Sequence, residues 1–220
     1  MADHLSPSTL HSVTICHIND RNPEMLSGPP MDYMVNGRVL APLFCFANLT
    51  RVNLCPPAGF DIDDATAWNL ARAWPKVESL VLQPNVDWRD RLPPINMTLH
   101  GLRAFAEHCK RLQDLYIHVN AKEVPPLEDN STDAQVSSDK CLLRYLNVGV
   151  SPISDPPAVA GFLCVLFPDL FDIETSVDAD GWEDDGSEED DGSEEDDGSA
   201  FERMERSHHL TWIEVNKRLM

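Results

Sequence analysis

A six-residue pattern, apolar-x-x-apolar-x-apolar, recurs six times along the chain and constrains the fold more than any other feature. The instances are Leu10/Val13/Ile15, Leu49/Val52/Leu54, Val77/Leu80/Leu82, Leu112/Leu115/Ile117, Leu143/Leu146/Val148 and Leu170/Ile173/Thr175, the last weakened by its threonine. In each, the final two positions stand two residues apart, the spacing that puts both side chains on one face of a strand. Successive starts are 39, 28, 35, 31 and 27 residues apart. A strand this short cannot bury its apolar face alone, so units of this kind stack on their neighbours.

What lies between the strands strengthens the case. Three strands are preceded by an apolar stripe at i, i+3, i+4 and i+7: Ala67/Leu70/Ala71/Trp74, Leu102/Phe105/Ala106/Cys109 and Val159/Phe162/Leu163/Leu166. Such a stripe predicts a helix with one buried side. Asp63 or Asp64, Thr98 and Asp155 are placed to accept bonds from the first free amides, and Pro156 suits a first helical turn. A large apolar or sulfur side chain then stands three residues before four of the units, at Phe46, Trp74, Cys109 and Phe167, with Pro75 and Pro168 ending two of the helices. Helix, turn and strand recur at a period near the roughly 20–29 residues of leucine-rich repeats once loop insertions are allowed. The expected fold is therefore an α/β leucine-rich-repeat solenoid of the ribonuclease-inhibitor kind, with strands on the concave side and helices on the convex side.

Two stretches break the pattern. Asn19–Pro30 is turn-rich and reads as a loop, and Ala121–Lys140 carries no helical stripe, so it reads as a polar excursion or a degenerate repeat. The expected domains are a solenoid over 1–177, a disordered acidic insertion over 178–200 and a closing helix over 201–220, with Trp212, Val215 and Leu219 on its buried side. Between Glu183 and Asp197 stand eleven acidic and no basic residues, more than half of the formal charge of −20. The repeated EEDDGS unit there has nothing apolar to bury and repels itself. Ser187 and Ser193, each followed by Glu-Glu-Asp, are the candidate phosphorylation sites within it; a plain solvated insertion is the simpler account.

That charge argues against nucleic acid, whose phosphates would be repelled over most of the surface. No apolar run is long enough to cross a membrane as a helix. The first twenty residues lack the basic and apolar regions of a secretory signal. A cytoplasmic or nuclear setting with reduced thiols follows for Cys16, Cys45, Cys55, Cys109, Cys141 and Cys164, which form no C-x-x-C pair. In that setting the sequons at Asn48, Asn96 and Asn130 go unused.

The 220 residues contain no G-x-x-x-x-G-K-[ST] loop, G-x-G-x-x-G turn, H-E-x-x-H helix or G-x-S-x-G elbow. The chain is therefore expected not to be an enzyme, and no cofactor or metal is expected. His100 and His108 are two turns apart with nothing to complete a metal set, and Cys109 sits on a buried stripe. Asp61, Asp63 and Asp64 lack the glycine and distal glutamate of a calcium loop and are better explained by capping. Trp68, Trp74, Trp88 and Trp212 fit packing, and His208-His209 reads as a surface pair.

The residues that alternate with the buried ones on the strands form three rows on the opposite sheet face. The first is Ser12, Arg51, Ser79, Asp114, Tyr145 and Asp172. The second is Thr14, Asn53, Val81, Tyr116, Asn147 and Glu174. The third is Cys16, Cys55, Gln83, His118, Gly149 and Ser176. Arg51, Asn53, Ser79, Val81, Asp114, Tyr116, His118, Tyr145, Asn147, Asp172 and Glu174 are the candidate partner-binding residues. The two neighbouring tyrosines are the strongest of them, because tyrosine offers large contact area at low entropic cost. An ordinary solvated sheet face is the plain alternative.

The stretches DDATAWNLARAWPKVESLVL, MTLHGLRAFAEHCKRLQDLYIHV, LRYLNVGVSPISDPPAVAGFLCVLFPDLFDIET and the terminal W-x-x-V resemble the F-box/leucine-rich-repeat proteins of mushroom-forming fungi. The resemblance covers roughly residues 40–177 plus the last helix, and its most specific part is SPISDPPAVAGFL followed by L-F-P-D-L. It implies a repeat domain that selects a protein target for ubiquitination. In such proteins a helical F-box ahead of the repeats docks a Skp-type adaptor of a cullin ubiquitin ligase. Here the first repeat begins by Leu10 and no F-box is recognisable, so the adaptor is an expected partner only if a box is supplied upstream. A free-standing scaffold or decoy module is the alternative, and a hydrolase or transferase with a site outside known motifs is the third reading.

Overall fold

The structure is a computed structural model that describes residues 6–16, 33–84, 95–126, 140–175 and 200–219. In chain order its elements are β1 (Ser12–Cys16), β2 (Val35–Asn36), α1 (Gly37–Leu40), β3 (Arg51–Cys55), β4 (Phe60–Asp61), α2 (Asp64–Ala73), β5 (Ser79–Leu82), α3 (Leu99–His108), β6 (Asp114–Ile117), β7 (Tyr145–Asn147), α4 (Pro156–Leu166), β8 (Asp172–Glu174) and α5 (Ala200–Leu219). A 3-10 turn, Ala41–Leu43, extends α1. The expected loop Asn19–Pro30, the residues Trp88, Asn130, Ser176, Ser187 and Ser193, and positions 127–139 of the polar excursion lie outside the described residues, as does nearly all of the expected acidic insertion.

Six strands form one parallel sheet in the order β1-β3-β5-β6-β7-β8, so each lies beside the next of the six in sequence. The register runs Ser12↔Arg51↔Ser79↔Asp114↔Tyr145↔Asp172, which aligns all six repeats at the same position. Right-handed crossovers that all advance the same way place their connecting helices on the same face. The inward strand residues Val52, Leu54, Leu80, Leu82, Leu115, Ile117, Leu146 and Ile173 accordingly share one core with Leu70 of α2, Phe105 of α3 and Leu163 of α4.

Four of the six units close in a similar way. Asp63, Thr98 and Asp155 are the N-caps of α2, α3 and α4, their side chains accepting from Thr66, His100 and Ala158 amides. Trp74, Cys109 and Phe167 end these helices, and the amides of Val77, Leu112 and Leu170 then donate back to their carbonyls at 3.1 Å. Phe46 makes the same turn with Leu49. All four turn side chains are 0–1% exposed. Side chains also bind one turn to the one before it: Trp74 Nε1 donates to Leu43 O, Cys109 Sγ to Ala71 O, and Cys141 Sγ to Cys109 O. A buried thiol is small enough to pack and still has a donor to give to a nearby carbonyl.

The described residues of the connection from β6 to β7 form no helix, and positions 127–139 of it lie outside the described residues. A small ribbon of β2 and β4, and the short α1, had no signal in the six-residue pattern. The first repeat departs from expectation, because Ile15 on β1 is 50% exposed among the described residues. At the other edge α5 packs on α4 and β8. Trp212 and Val215 are buried there, and Asn216 Oδ1 accepts from the Ile173 amide, which satisfies a donor that an edge strand leaves open.

Candidate protein-binding face

The sheet face opposite the core is lined, in register, by the first and second rows read from the sequence. Ser12, Arg51, Thr14, Tyr145 and Glu174 are exposed, while Ser79, Asp114, Asn53, Val81, Tyr116, Asn147 and Asp172 are half-buried. The rows divide into residues held by the fold and residues whose polar groups remain available.

The second row is held mainly through its amides. Asn53 Oδ1 accepts from the Cys55 thiol at 2.9 Å and the Cys16 thiol at 3.7 Å. Burial, then the neighbouring Cys16 thiol, pushes Cys55 up to about 12, so it stays a protonated donor at neutral pH. Gln83 reaches across β6, its Nε2 donating to Asn147 Oδ1 at 2.7 Å. The same Asn147 oxygen accepts from the Gly149 amide, and Asn147 Nδ2 donates to Glu174 Oε2 at 3.5 Å. Gly149 has φ +57, a conformation that side chains other than glycine rarely adopt, and it lets the chain turn back to meet that oxygen.

His118 belongs to the third row. It follows the end of β6 and is half-buried, and desolvation pushes its pKa down to about 4. Its ring is therefore neutral at pH 7. Asp172 is partly committed as well, since its Oδ1 accepts from Asn216 Nδ2 of α5.

The available groups gather toward β6, β7 and β8. Asp114, Tyr116 and Tyr145 have no side-chain hydrogen bond among the described residues. Tyr145 is 40% exposed and meets the half-exposed Phe171 edge-on, ring centroids 4.8 Å apart. Phe171 lies just before β8, between the buried Leu170 and the half-buried Asp172 that the first row takes, so the alternation used to choose the rows passed it over. Burial raises the Tyr116 pKa, and the charges of Glu174 and Asp114 and the nearby Tyr145 add to that rise. These groups therefore lie close to one another in space.

Other candidates have structural explanations. Trp68 packs against His100 and His108 with centroids 6.0 and 5.4 Å away, and the Arg72 guanidinium lies 5.2 Å from its ring centre. His208 and His209 are not a plain surface pair. The Ile153 amide donates to His208 Nδ1, and His209 Nδ1 pairs with Thr175 Oγ1, so both hold α5 in place. An open depression of 740 Å³ is lined by Asn36, Arg38, Phe44, Asp61, Asp63 and Asn96. Asn36 and Asp63 cap helices there, and Asp61 accepts from Asn96. Among the described residues no three His, Cys, Asp or Glu side chains converge as a metal set, and no helix is long and apolar enough to cross a membrane. No known protein family matches this chain, and no curated protein matches it.

Proposed function

We propose that the chain is a leucine-rich-repeat solenoid that recognises a protein target through its open sheet face, without catalysis, in the cytoplasm or nucleus. It would act as the target-binding part of an F-box-type ubiquitin-ligase component. The observation that carries the reading is the six-strand parallel sheet in chain order, with a helix-packed core on one side and side chains in shared register on the other. The aromatic pair Tyr145 and Phe171, exposed on that face, supplies what protein interfaces use as anchors. The repeated turns, each donating back over three residues, support a stack of like units.

The test is affinity purification with mass spectrometry, comparing the wild type with the Tyr116→Ala/Tyr145→Ala double variant. A reproducible partner retained by the first and lost by the second is expected; a partner set untouched by the substitutions refutes recognition through this face. The ligase role is tested separately, with an extended gene product carrying an in-frame F-box upstream. Recovery of a Skp-type adaptor supports it. Target binding with no adaptor assigns the chain to the free-standing modules instead.

A further inference from the structure

The open face is unevenly charged, and its uneven end is where the exposed aromatics lie. Tyr145 sits in register between Asp114 on β6 and Asp172 on β8. Neighbouring strands are about 4.8 Å apart, so the two carboxylates flank the Tyr145 position at roughly one strand spacing on each side. In the next row Tyr116, Asn147 and Glu174 are aligned in the same way. Three carboxylates and two tyrosines thus share six positions on three adjacent strands. The only cation in the first two rows is Arg51, on β3, three strands from Tyr145. Arg144 precedes Tyr145 at the entrance of β7 and is exposed, which leaves the carboxylates in excess.

An aromatic ring attracts a cation to its face. A carboxylate on each side adds charge-assisted hydrogen bonds from the same head group. An anionic segment meets repulsion at all three carboxylates, which argues against a second copy of this chain, of charge −20, and against its own Glu183–Asp197 run. We propose that the β6–β8 end of the open face takes an arginine- or lysine-bearing segment of the protein partner, with a cationic side chain seated on Tyr145 between Asp114 and Asp172. This rests on the open face being a protein-recognition surface and adds the chemistry of what docks there. The acidic run elsewhere in the chain raises the encounter rate of such a partner without reading it.

The experiment pans a randomised dodecapeptide display library on the full chain. Enriched peptides are then measured by fluorescence anisotropy against the wild type and three variants: Tyr145→Ala, Asp114→Asn/Asp172→Asn, and deletion of 183–199. The amide substitutions keep an oxygen at position 172 for Asn216, and coincident urea melts of variant and wild type establish that the fold is kept. Expected are peptides enriched in Arg and Lys. Their affinity should fall about fivefold or more in the double amide variant and in Tyr145→Ala, should weaken with salt, and should survive the deletion. Peptides without a basic excess that still lose affinity in Tyr145→Ala overturn the cation preference and leave recognition by the face standing. Basic peptides that ignore both face variants and fall away with the deletion overturn the proposed seat. Failure to enrich any peptide counts against both readings.

Discussion

Ser151 is the only buried polar residue in the described core, and replacing it isolates one interaction that the fold depends on. Its Oγ accepts from the Val119 amide at 2.7 Å and donates to Val148 O, while its own carbonyl accepts from Trp212 Nε1 at 2.9 Å. One side chain thus joins the end of β6 to the end of β7, and its backbone receives the closing helix. Ser151→Ala leaves the Val119 amide, on a residue of 0% exposure, with no partner. Stripping a buried donor costs about 1–3 kcal/mol. Trp212→Phe leaves the Ser151 carbonyl without its donor at a similar cost of about 1–3 kcal/mol, while Trp212→Ala also empties a large site and costs about 3–5 kcal/mol. Urea denaturation followed by far-UV circular dichroism at pH 7 measures all three. Because both substitutions touch Ser151, the Ser151→Ala/Trp212→Phe double variant should depart from additivity. As a control, Val165→Ser, at a residue 61% exposed, should change stability by no more than about 0.5 kcal/mol. A Ser151→Ala loss no larger than that of the control would refute the reasoning, because it would mean the Val119 amide finds another partner at no cost.

His118 and His208 both have pKa values lowered chiefly by burial, His118 to about 4, so the fold holds the neutral rings. Their stabilisation is complete above the unfolded value near 6.5 and drains as the pH falls below it, by at most about 3 kcal/mol for His118 once pH nears 4; unfolding free energies from pH 8 to 4 should show that loss, and His118→Gln should flatten it. Asp63→Ala removes the α2 cap and should cost about 1 kcal/mol at pH 7. Asp63 is held below its ordinary carboxylate range by the Thr66 hydrogen bonds, so its contribution should fade as the pH drops through that lowered value, a loss that acid titration of the variant would lack. Gly101→Ala puts a methyl 2.6 Å from Met97 Cγ and 2.8 Å from the Asp64 oxygen that holds the Thr98 amide. It should destabilise by about 1–3 kcal/mol in urea melts, and an unchanged midpoint would show that Met97 yields freely.

The strand register was legible because every repeat obeys the same steric rule. Alternation at Val52/Leu54 or Leu115/Ile117 needs only period two, and the caps at Asp63, Thr98 and Asp155 need only a short oxygen-bearing side chain before an apolar stripe. The turn at Trp74 or Phe167 was legible because a large side chain stands three residues before the first apolar position of the unit, Val77 or Leu170, and is buried in both. What escaped the sequence has no period. Gln83 and Asn147 are 64 residues apart and meet only because the sheet puts β5 and β7 on either side of β6. His208 and His209 looked like surface residues because their partners, Ile153 and Thr175, lie 55 and 34 residues away. His118 keeps both the row spacing and the burial alternation past the strand end, half-buried between the buried Ile117 and Val119. Phe171 was missed because it precedes a strand, and only its contact with Tyr145 gives it a place on the face.

These two kinds of residue also divide the work of the face. Asn53 with the Cys16 and Cys55 thiols, and Gln83 with Asn147 and Glu174, bond to one another, so their rotamers are fixed whether or not a partner is present. Tyr145 is steadied by Phe171, and Asp172 by Asn216, yet each keeps a surface for something else. Ordering side chains on binding costs roughly 0.5–1.5 kcal/mol for each one immobilised, and here part of that ordering precedes any encounter. On the proposed reading, α5 therefore does more than close the stack. By holding Asp172 through Asn216 it sets one of the two carboxylates beside Tyr145. Asn216→Ala should then weaken a basic peptide more than its small effect on the melt would suggest, and equal, minor effects on both would separate the closing helix from recognition.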